Sequence, residues 1–200
     1  QFGSTTGLPT TLALIKLSHV LFEASVASRN IIRVLFIDFK RAFDLIDHNI
    51  LHKKLTEYGF ASQLSTWMLS FLVDRKQFVR IGNCVSDVVV TNAGAPQGTR
   101  AGPNDFKVLI NDLSFESPYV KYVDDVTVAA TSTNPLDNNM QLEVEVDKLV
   151  EWCVDNRMRL NTSKTKEMII YFGKTYPKSE IACTTIHGAR IERVETFKLL

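Results

Sequence analysis

The sequence predicts an α+β fold, and two observations favour this class. Patterns typical of strands and of helices follow one another along the 200 residues without strict βαβ alternation, which argues against a parallel doubly wound sheet. Residues 31–39, IIRVLFIDF, form a nearly continuous apolar run rich in β-branched side chains, as expected of a central strand covered on both faces. A chain of this length suffices for one domain or for two small ones.

The first half of the chain contains three predicted helices around that strand. Residues 12–25 carry apolar side chains at helical spacing. Asp47 is placed to cap a second helix that runs to Tyr58, and Gly59 is suited to end it. Residues 63–74 predict a third helix.

The second half mixes hairpins and helices. Two strands, 77–83 and 86–92, are predicted around a tight turn. Gly102-Pro103 is expected to open a helix, which places Asp105 in a first turn, where the helix dipole tolerates acids. The remaining predicted elements are a hairpin at 119–131, a helix at about 138–157, a strand at 166–173 and a hairpin around His187-Gly188.

Composition excludes several classes of protein. With 45% hydrophobic and 22% charged residues, the chain is neither a disordered tail nor a membrane span. The net charge of +1 lacks the basic excess of most nucleic-acid binders, so any basic surface has to be local. The three cysteines are far apart and show no metal-ligand spacing, which predicts reduced thiols and an intracellular protein.

Two adjacent acids, Asp124 and Asp125, interrupt the apolar, β-prone stretch YVKYVDDVTVAA at 119–130. Burying unpaired charge is costly, so either the pair lies at an exposed turn or a cation binds there. Asp38 ends the predicted central strand, and it too could be an ordinary turn acid. If the two strands pair side by side, three carboxylates converge, and hard divalent ions such as Mg²⁺ take oxygen ligands of this kind.

The same stretches resemble the reverse transcriptases of non-LTR (LINE-type, jockey-like) retrotransposons, in the order of that family's motifs. The resemblance covers essentially the whole chain. It is carried by QFGSTTGLPTTLAL (1–14), VLFIDFKRAFDLIDHNILHKKL (34–55), GAPQGTRAGPNDFKVLINDL (94–113), KYVDDVTVAA (121–130), WCVDNRMRLNTSKTKEMIIYFG (152–173) and FKLL (197–200).

The resemblance implies a polymerase site with three catalytic acids. Asp38, Asp124 and Asp125 match the acids that bind two Mg²⁺ ions, with Mn²⁺ as the alternative. Lys164 matches the fourth-motif lysine that neutralises or protonates pyrophosphate, and Lys166 competes for that role. A solvated surface lysine is the alternative for both.

Three further residues match substrate-binding positions. Phe43, five residues after the first acid, matches the aromatic gate that excludes a ribose 2′-OH, although a core aromatic is the plainer interpretation. Gln97 matches a residue that lines the nucleotide pocket, and Gly98 allows the backbone to approach template or nucleotide closely. An ordinary turn is the alternative for this Pro-Gln-Gly stretch.

The resemblance also implies an architecture and partners. It predicts a right-hand polymerase palm, an antiparallel sheet backed by helices, with 1–30 as a fingers segment and 31–200 as mainly palm with a fingers insertion. The implied partners are an RNA template such as the element RNA, a DNA primer and dNTPs, without a membrane and with cytoplasmic and nuclear localisation.

Departures from the family pattern limit what this stretch is expected to do alone. Ser4-Thr5-Thr6 supplies no cation where relatives carry one, and the chain stops at Leu200 inside the fifth motif. Thumb and endonuclease domains are therefore expected to be absent, and the isolated piece to be weakly active or inactive. Two rivals stay open: a group II intron or telomerase-type enzyme, and a decayed or domesticated nucleic-acid-binding module without catalysis.

Overall fold

The computed structural model describes residues 2–3, 7, 9–26, 31–173 and 181–199. Within them the chain has a mixed α/β fold of a sheet and five helices, divided into two compact units. The expectations for Ser4-Thr5-Thr6 and for Leu200 lie outside the described residues. The sheet unit comprises Gln1–Lys40, Leu113–Asp155 and Arg159–Leu200, and the second unit comprises Arg41–Asp112 and Asn156–Met158.

All five predicted helices are confirmed, with shifts of a few residues at their ends. They are α1 (Thr10–Val26), α2 (His48–Glu57), α3 (Ser62–Leu72), α4 (Ala101–Ile110) and α5 (Pro135–Asp155). The strands are β1 (Ile31–Ile37), β2 (Arg75–Gln77), β3 (Arg80–Ile81), β4 (Cys84–Val85), β5 (Val89–Thr91), β6 (Tyr119–Tyr122), β7 (Asp125–Ser132), β8 (Lys166–Tyr171), β9 (Thr185–Ile186), β10 (Ala189–Arg190) and β11 (Glu192–Arg193).

The sheet unit is built around β1, the middle strand of a five-stranded sheet in the order β11-β8-β1-β7-β6. β1 pairs antiparallel with β7 and β8, while β11 pairs parallel with β8. Every residue of β1 is buried, which confirms the prediction of a strand covered on both faces. Val20 and Leu21 of α1 pack against the face that bears Ile32, Val34 and Phe36, and α5 contacts β1 and β7.

The second unit packs α2 against α3 and α4. The Asp47 side chain accepts hydrogen bonds from the N–H groups of Asn49 and Ile50, so the predicted helix cap is confirmed. The two long strands predicted at 77–83 and 86–92 are wrong in extent, because the segment forms two short pairs, β2–β5 and β3–β4. Between them the Ser86 hydroxyl accepts a hydrogen bond from the Val79 N–H, which replaces a ladder bond.

The expectation for Asp105 is also wrong. Asp105 is the fifth residue of α4 rather than a first-turn acid, and it is only 1% exposed. Neither of its carboxylate oxygens has a hydrogen-bond partner among the described residues. Burial raises the pKa of Asp105 to about 6, because the charged form loses its hydration without a compensating donor. The side of α4 on which Asp105 lies, rather than the helix dipole, determines the environment of this acid.

Replacing Asp105 with Asn is expected to stabilise the fold at neutral pH. The folded state binds the Asp105 proton more tightly than the unfolded chain, whose pKa is near 3.8, so wild-type stability falls as pH rises from about 4 to 6. Asp105→Asn removes that fall and should raise the free energy of unfolding at pH 7 by about 3 kcal/mol.

Urea titrations at pH 4 and pH 7 measure this gain, with the exposed Asp87→Asn as control. A gain at pH 7 that persists unchanged at pH 4 would contradict the charge-burial explanation.

The three cysteines are unpaired. Burial raises the pKa of Cys153 to about 12, so its thiol stays protonated at neutral pH. Among the described residues, no helix combines the length and the apolar character needed to cross a membrane.

Candidate active site

The pairing of β1 with β7 brings the three predicted acids to one end of the sheet. Ile37, the last residue of β1, lies opposite Val126, so Asp38 leaves β1 where Asp125 begins β7. Tyr122 pairs with Asp125 across the β6–β7 hairpin, which leaves Val123 and Asp124 as its two-residue turn. The register therefore places one carboxylate on the central strand next to two on the neighbouring hairpin.

The electrostatics of these acids reflect their proximity. Burial raises the pKa of Asp124, and the nearby Asp38 carboxylate raises it further. The pKa of Asp125 is raised by burial, then by Asp124 and then by Asp38. Like charges at short range disfavour the ionised forms, and a bound cation would reverse this effect.

The donor set fits hard divalent cations, because all three side chains offer carboxylate oxygens. In the part of the chain that the structure describes, no three His, Cys, Asp or Glu side chains surround one common point. The backbone register nevertheless brings the three acids to one end of the sheet.

The loop at residues 161–165, within the stretch that resembles the fourth family motif, is hydrogen-bonded to Asp38 at the end of β1. The Asp38 carbonyl accepts a hydrogen bond from the Asn161 N–H at 2.8 Å, and the Asp38 N–H donates to the Thr165 hydroxyl at 3.3 Å. Next to these bonds, Phe39 and Leu160 form an antiparallel bridge. The attachment holds the loop residues next to the acids.

Of the two candidate lysines, Lys164 has the freer ammonium group. The Lys166 Nζ donates to the Ser163 carbonyl at 2.7 Å and to Glu192 Oε2 at 2.5 Å. Lys164 is exposed, and only its backbone is hydrogen-bonded in the described structure, to the Asn161 carbonyl. Both lysines line the same cavity as Asp38 and Asp125, and the Lys164 side chain is the more exposed of the two.

A cavity of about 470 Å³ joins these groups within the sheet unit. Its apolar wall includes Phe36 and Phe197, whose rings stack with centroids 4.1 Å apart. Its polar lining consists of Asp38, Asp125, Thr127, Ser163, Lys164 and Lys166. The cavity is thus lined by two acids and two lysines.

The second unit holds the other predicted residues on two bonded segments. The Ala95 N–H donates to the Phe43 carbonyl at 2.9 Å, and the Gly94 N–H donates to the Ile46 carbonyl at 2.8 Å. The His48 Nε2 lies 2.8 Å from the Gly94 carbonyl. These contacts fix the start of the loop that carries Gln97 against the segment that carries Phe43.

The three substrate-binding candidates differ in their surroundings. Phe43 is half-buried and packs against Phe106 with ring centroids 5.2 Å apart. It therefore belongs in part to the core, which was the plainer interpretation of its sequence. Gln97 is exposed, and its amide donates a long bond of 3.4 Å to Asp44. Gly98 has a φ of 78° with open space around it, which is the freedom that a close backbone approach requires.

Sequence reasoning missed His48, Asp44 and the stacked pair of Phe36 with Phe197. No short-range pattern marks them, because each contacts a partner more than 40 residues away along the chain. The structure brings together Asp38, Asp124, Asp125 and Lys164 in the sheet unit. Phe43, Gln97 and Gly98 lie in the second unit.

Comparison with known proteins gives consistent matches. A family model described as reverse transcriptase (RNA-dependent DNA polymerase) matches residues 9–200. The chain is 27% identical over 175 residues to the probable RNA-directed DNA polymerase from transposon BS of Drosophila melanogaster. It is 26% identical over 178 residues to the RNA-directed DNA polymerase from mobile element jockey of Drosophila funebris. Each match covers 82% of this chain and 19% of the relative, so the chain spans about a fifth of these relatives' length.

Proposed function

Because the chain belongs to the reverse transcriptase (RNA-dependent DNA polymerase) family, we propose that it carries the polymerase site of a non-LTR retrotransposon enzyme. The reaction is attack of a primer 3′-OH on the α-phosphate of a dNTP, directed by an RNA template. The observation that carries the proposal is the β1–β7 register, which sets Asp38 beside Asp124 and Asp125.

In this proposal Asp38, Asp124 and Asp125 hold two Mg²⁺ ions, with Mn²⁺ as the alternative. When bound, such ions activate the attacking hydroxyl and stabilise the leaving pyrophosphate. The Lys164 ammonium neutralises or protonates the pyrophosphate, a role supported by its position on the same cavity as Asp38. The sheet unit then corresponds to the palm.

Primer extension tests the function. The polypeptide that contains this chain is given an RNA template with an annealed DNA primer, four dNTPs and Mg²⁺, and elongation is followed on a denaturing gel. We expect template-directed products that require the metal and disappear with EDTA. Binding of primer–template without any incorporation would instead indicate a nucleic-acid-binding module without catalysis.

We also propose that Phe43 selects deoxynucleotides. Replacing Phe43 with Val removes the ring that would clash with a 2′-OH, so ribonucleotide incorporation should rise by at least about tenfold relative to deoxynucleotide incorporation, a discrimination of about 1.4 kcal/mol. The ratio of kcat/KM for rCTP and dCTP measures this effect.

Phe106→Leu serves as the matched control, since it alters the ring against which Phe43 packs without removing the gate. An unchanged ratio in Phe43→Val, with normal overall activity, would leave Phe43 as a core aromatic.

The proposed partners are RNA template, DNA primer and dNTPs, and the proposed location is the cytoplasm and nucleus. The unpaired Cys84, Cys153 and Cys183 favour a reducing compartment. Other domains of the polypeptide would contribute further contacts to the nucleic acid.

A further inference from the structure

The turn that carries Asp124 contains a strained residue. Val123 has a φ of 55°, in the left-handed region that β-branched residues rarely adopt. Such a conformation persists only where the surroundings hold it in place. Asp124 follows directly, so the direction of its carboxylate depends on the backbone of Val123.

Residues close to the N-terminus lie against this turn. The Phe2 N–H donates to the Lys121 carbonyl at 2.8 Å, which adds a hydrogen bond at the outer edge of β6. The Thr10 hydroxyl at the start of α1 donates to the Tyr122 hydroxyl at 3.0 Å. These two hydrogen bonds connect the hairpin to residues outside the sheet.

Gly3 makes the closest approach to the strained residue. Gly3 is buried, and a Cβ added to it would lie 2.4 Å from Val123 Cγ2 and 2.6 Å from the Val123 backbone nitrogen. Both distances are far below van der Waals contact, and the second involves backbone that cannot move without the turn. Only glycine fits at this position while the turn keeps its conformation.

We propose that Gly3 is a positioning residue for the metal site, whose bare backbone packs on Val123 and holds the turn that presents Asp124. The inference rests on the proposed function, since the ligand is the divalent cation assigned there to Asp38, Asp124 and Asp125. It adds a residue that lies far from the three acids along the chain and acts on the site through Val123.

The test is Mn²⁺ binding, measured by electron paramagnetic resonance on the polypeptide without nucleic acid. Gly3→Ala should weaken Mn²⁺ binding by about tenfold or more, the size of effect seen when residues that orient metal ligands are changed. Ser18→Ala is the control, because Ser18 is an exposed residue of α1. It should stay within about twofold of wild type, well below that effect.

A double-mutant cycle separates positioning from general disruption. Val123→Gly removes the contacting methyl and accepts a left-handed φ without strain. In that background, Gly3→Ala should weaken Mn²⁺ binding clearly less than it does alone, because the contact with Cγ2 is gone while the close approach to the backbone nitrogen of residue 123 remains. An equal loss in both backgrounds, or no loss in Gly3→Ala with an unchanged unfolding midpoint, would overturn the inference.

Asp38→Asn in the same titration distinguishes failure of the proposed metal site from failure of the role given to Gly3. If wild-type Mn²⁺ binding does not depend on Asp38, the proposed function fails and the inference fails with it. If binding depends on Asp38 but not on Gly3, only the role of Gly3 is refuted.

Discussion

Replacing Asp38 with Asn is expected to lower the rate of dNTP incorporation by at least about a thousandfold. A metal ion supplies several kcal/mol of transition-state stabilisation, and each 1.4 kcal/mol corresponds to a factor of about ten. Asn keeps the size of the side chain and removes the charge that the ion requires. Single-turnover primer extension with saturating dNTP measures the loss in the chemical step.

The same substitution should not destabilise the fold. Asp38 raises the pKa of both Asp124 and Asp125, so removing its charge relieves repulsion in the metal-free protein. We expect Asp38→Asn to unfold at the wild-type temperature or slightly above it. Asp147→Asn, an exposed acid on α5, is the control and should leave both rate and stability unchanged. A normal rate in Asp38→Asn would remove the metal role from this residue.

Replacing Arg33 with Met is expected to lower the free energy of unfolding by about 3–5 kcal/mol. Arg33 lies in the centre of β1, is 2% exposed, and its Nε donates to Glu167 Oε1 at 2.6 Å. Its other donors reach Asn139 Oδ1 and the Thr184 hydroxyl, each at 2.7 Å. Met fills much of the space but leaves Glu167, itself fully buried, with fewer cationic partners.

A second substitution shows whether the lost charge balance is the cause. Combining Arg33→Met with Glu167→Met removes both fully buried charges, and part of the lost stability should return, because apolar replacement of a buried ion pair is often neutral while Arg193 loses its Glu167 partner. Arg190→Met, an exposed arginine, should change stability by less than about 0.5 kcal/mol. Urea denaturation of the four proteins measures these differences. A loss below 1 kcal/mol in Arg33→Met would contradict the prediction.

The pair formed by Arg33 and Glu167 has a structural role beyond its strength. Arg33 connects β1 to β8, to α5 and to the segment that contains Thr184, while Arg193 binds the other Glu167 oxygen at 2.9 Å. These bonds fix the strand order on one side of β1. Asp124 and Asp125 belong to the hairpin that pairs with the opposite edge of β1. The Arg33 network therefore holds β1 in place without being part of the candidate site.

Local patterns in the sequence were enough for the helices and the central sheet, though not for the extent of the strands predicted at 77–83 and 86–92, and they suggested the residues of the candidate site. The apolar run of β1, the cap at Asp47 and the hairpin around Asp124 each depend on neighbours within a few residues, and each is present in the structure. Likewise, the family motifs are contiguous stretches, so resemblance could assign roles before any contact was known. Those roles remain predictions until the experiments above are done.

The tertiary structure alone decided which residues meet. The register of Ile37 with Val126, the contact of Gly3 with Val123 and the stacking of Phe197 on Phe36 join residues that lie far apart along the chain. Pairing of this kind depends on how whole faces pack, which short-range propensity does not contain.

Burial of charge was the other property that the sequence pattern did not reveal. Arg33 interrupts an apolar strand and Asp105 lies in an amphipathic helix, and polar side chains in such places are usually assigned to solvent. In the structure Arg33 is buried with an acceptor for each of its three nitrogens, whereas Asp105 is buried without a hydrogen-bond partner among the described residues. The free energy of a buried charge depends on partners from other elements, so only the folded chain separates a stabilising charge from a destabilising one.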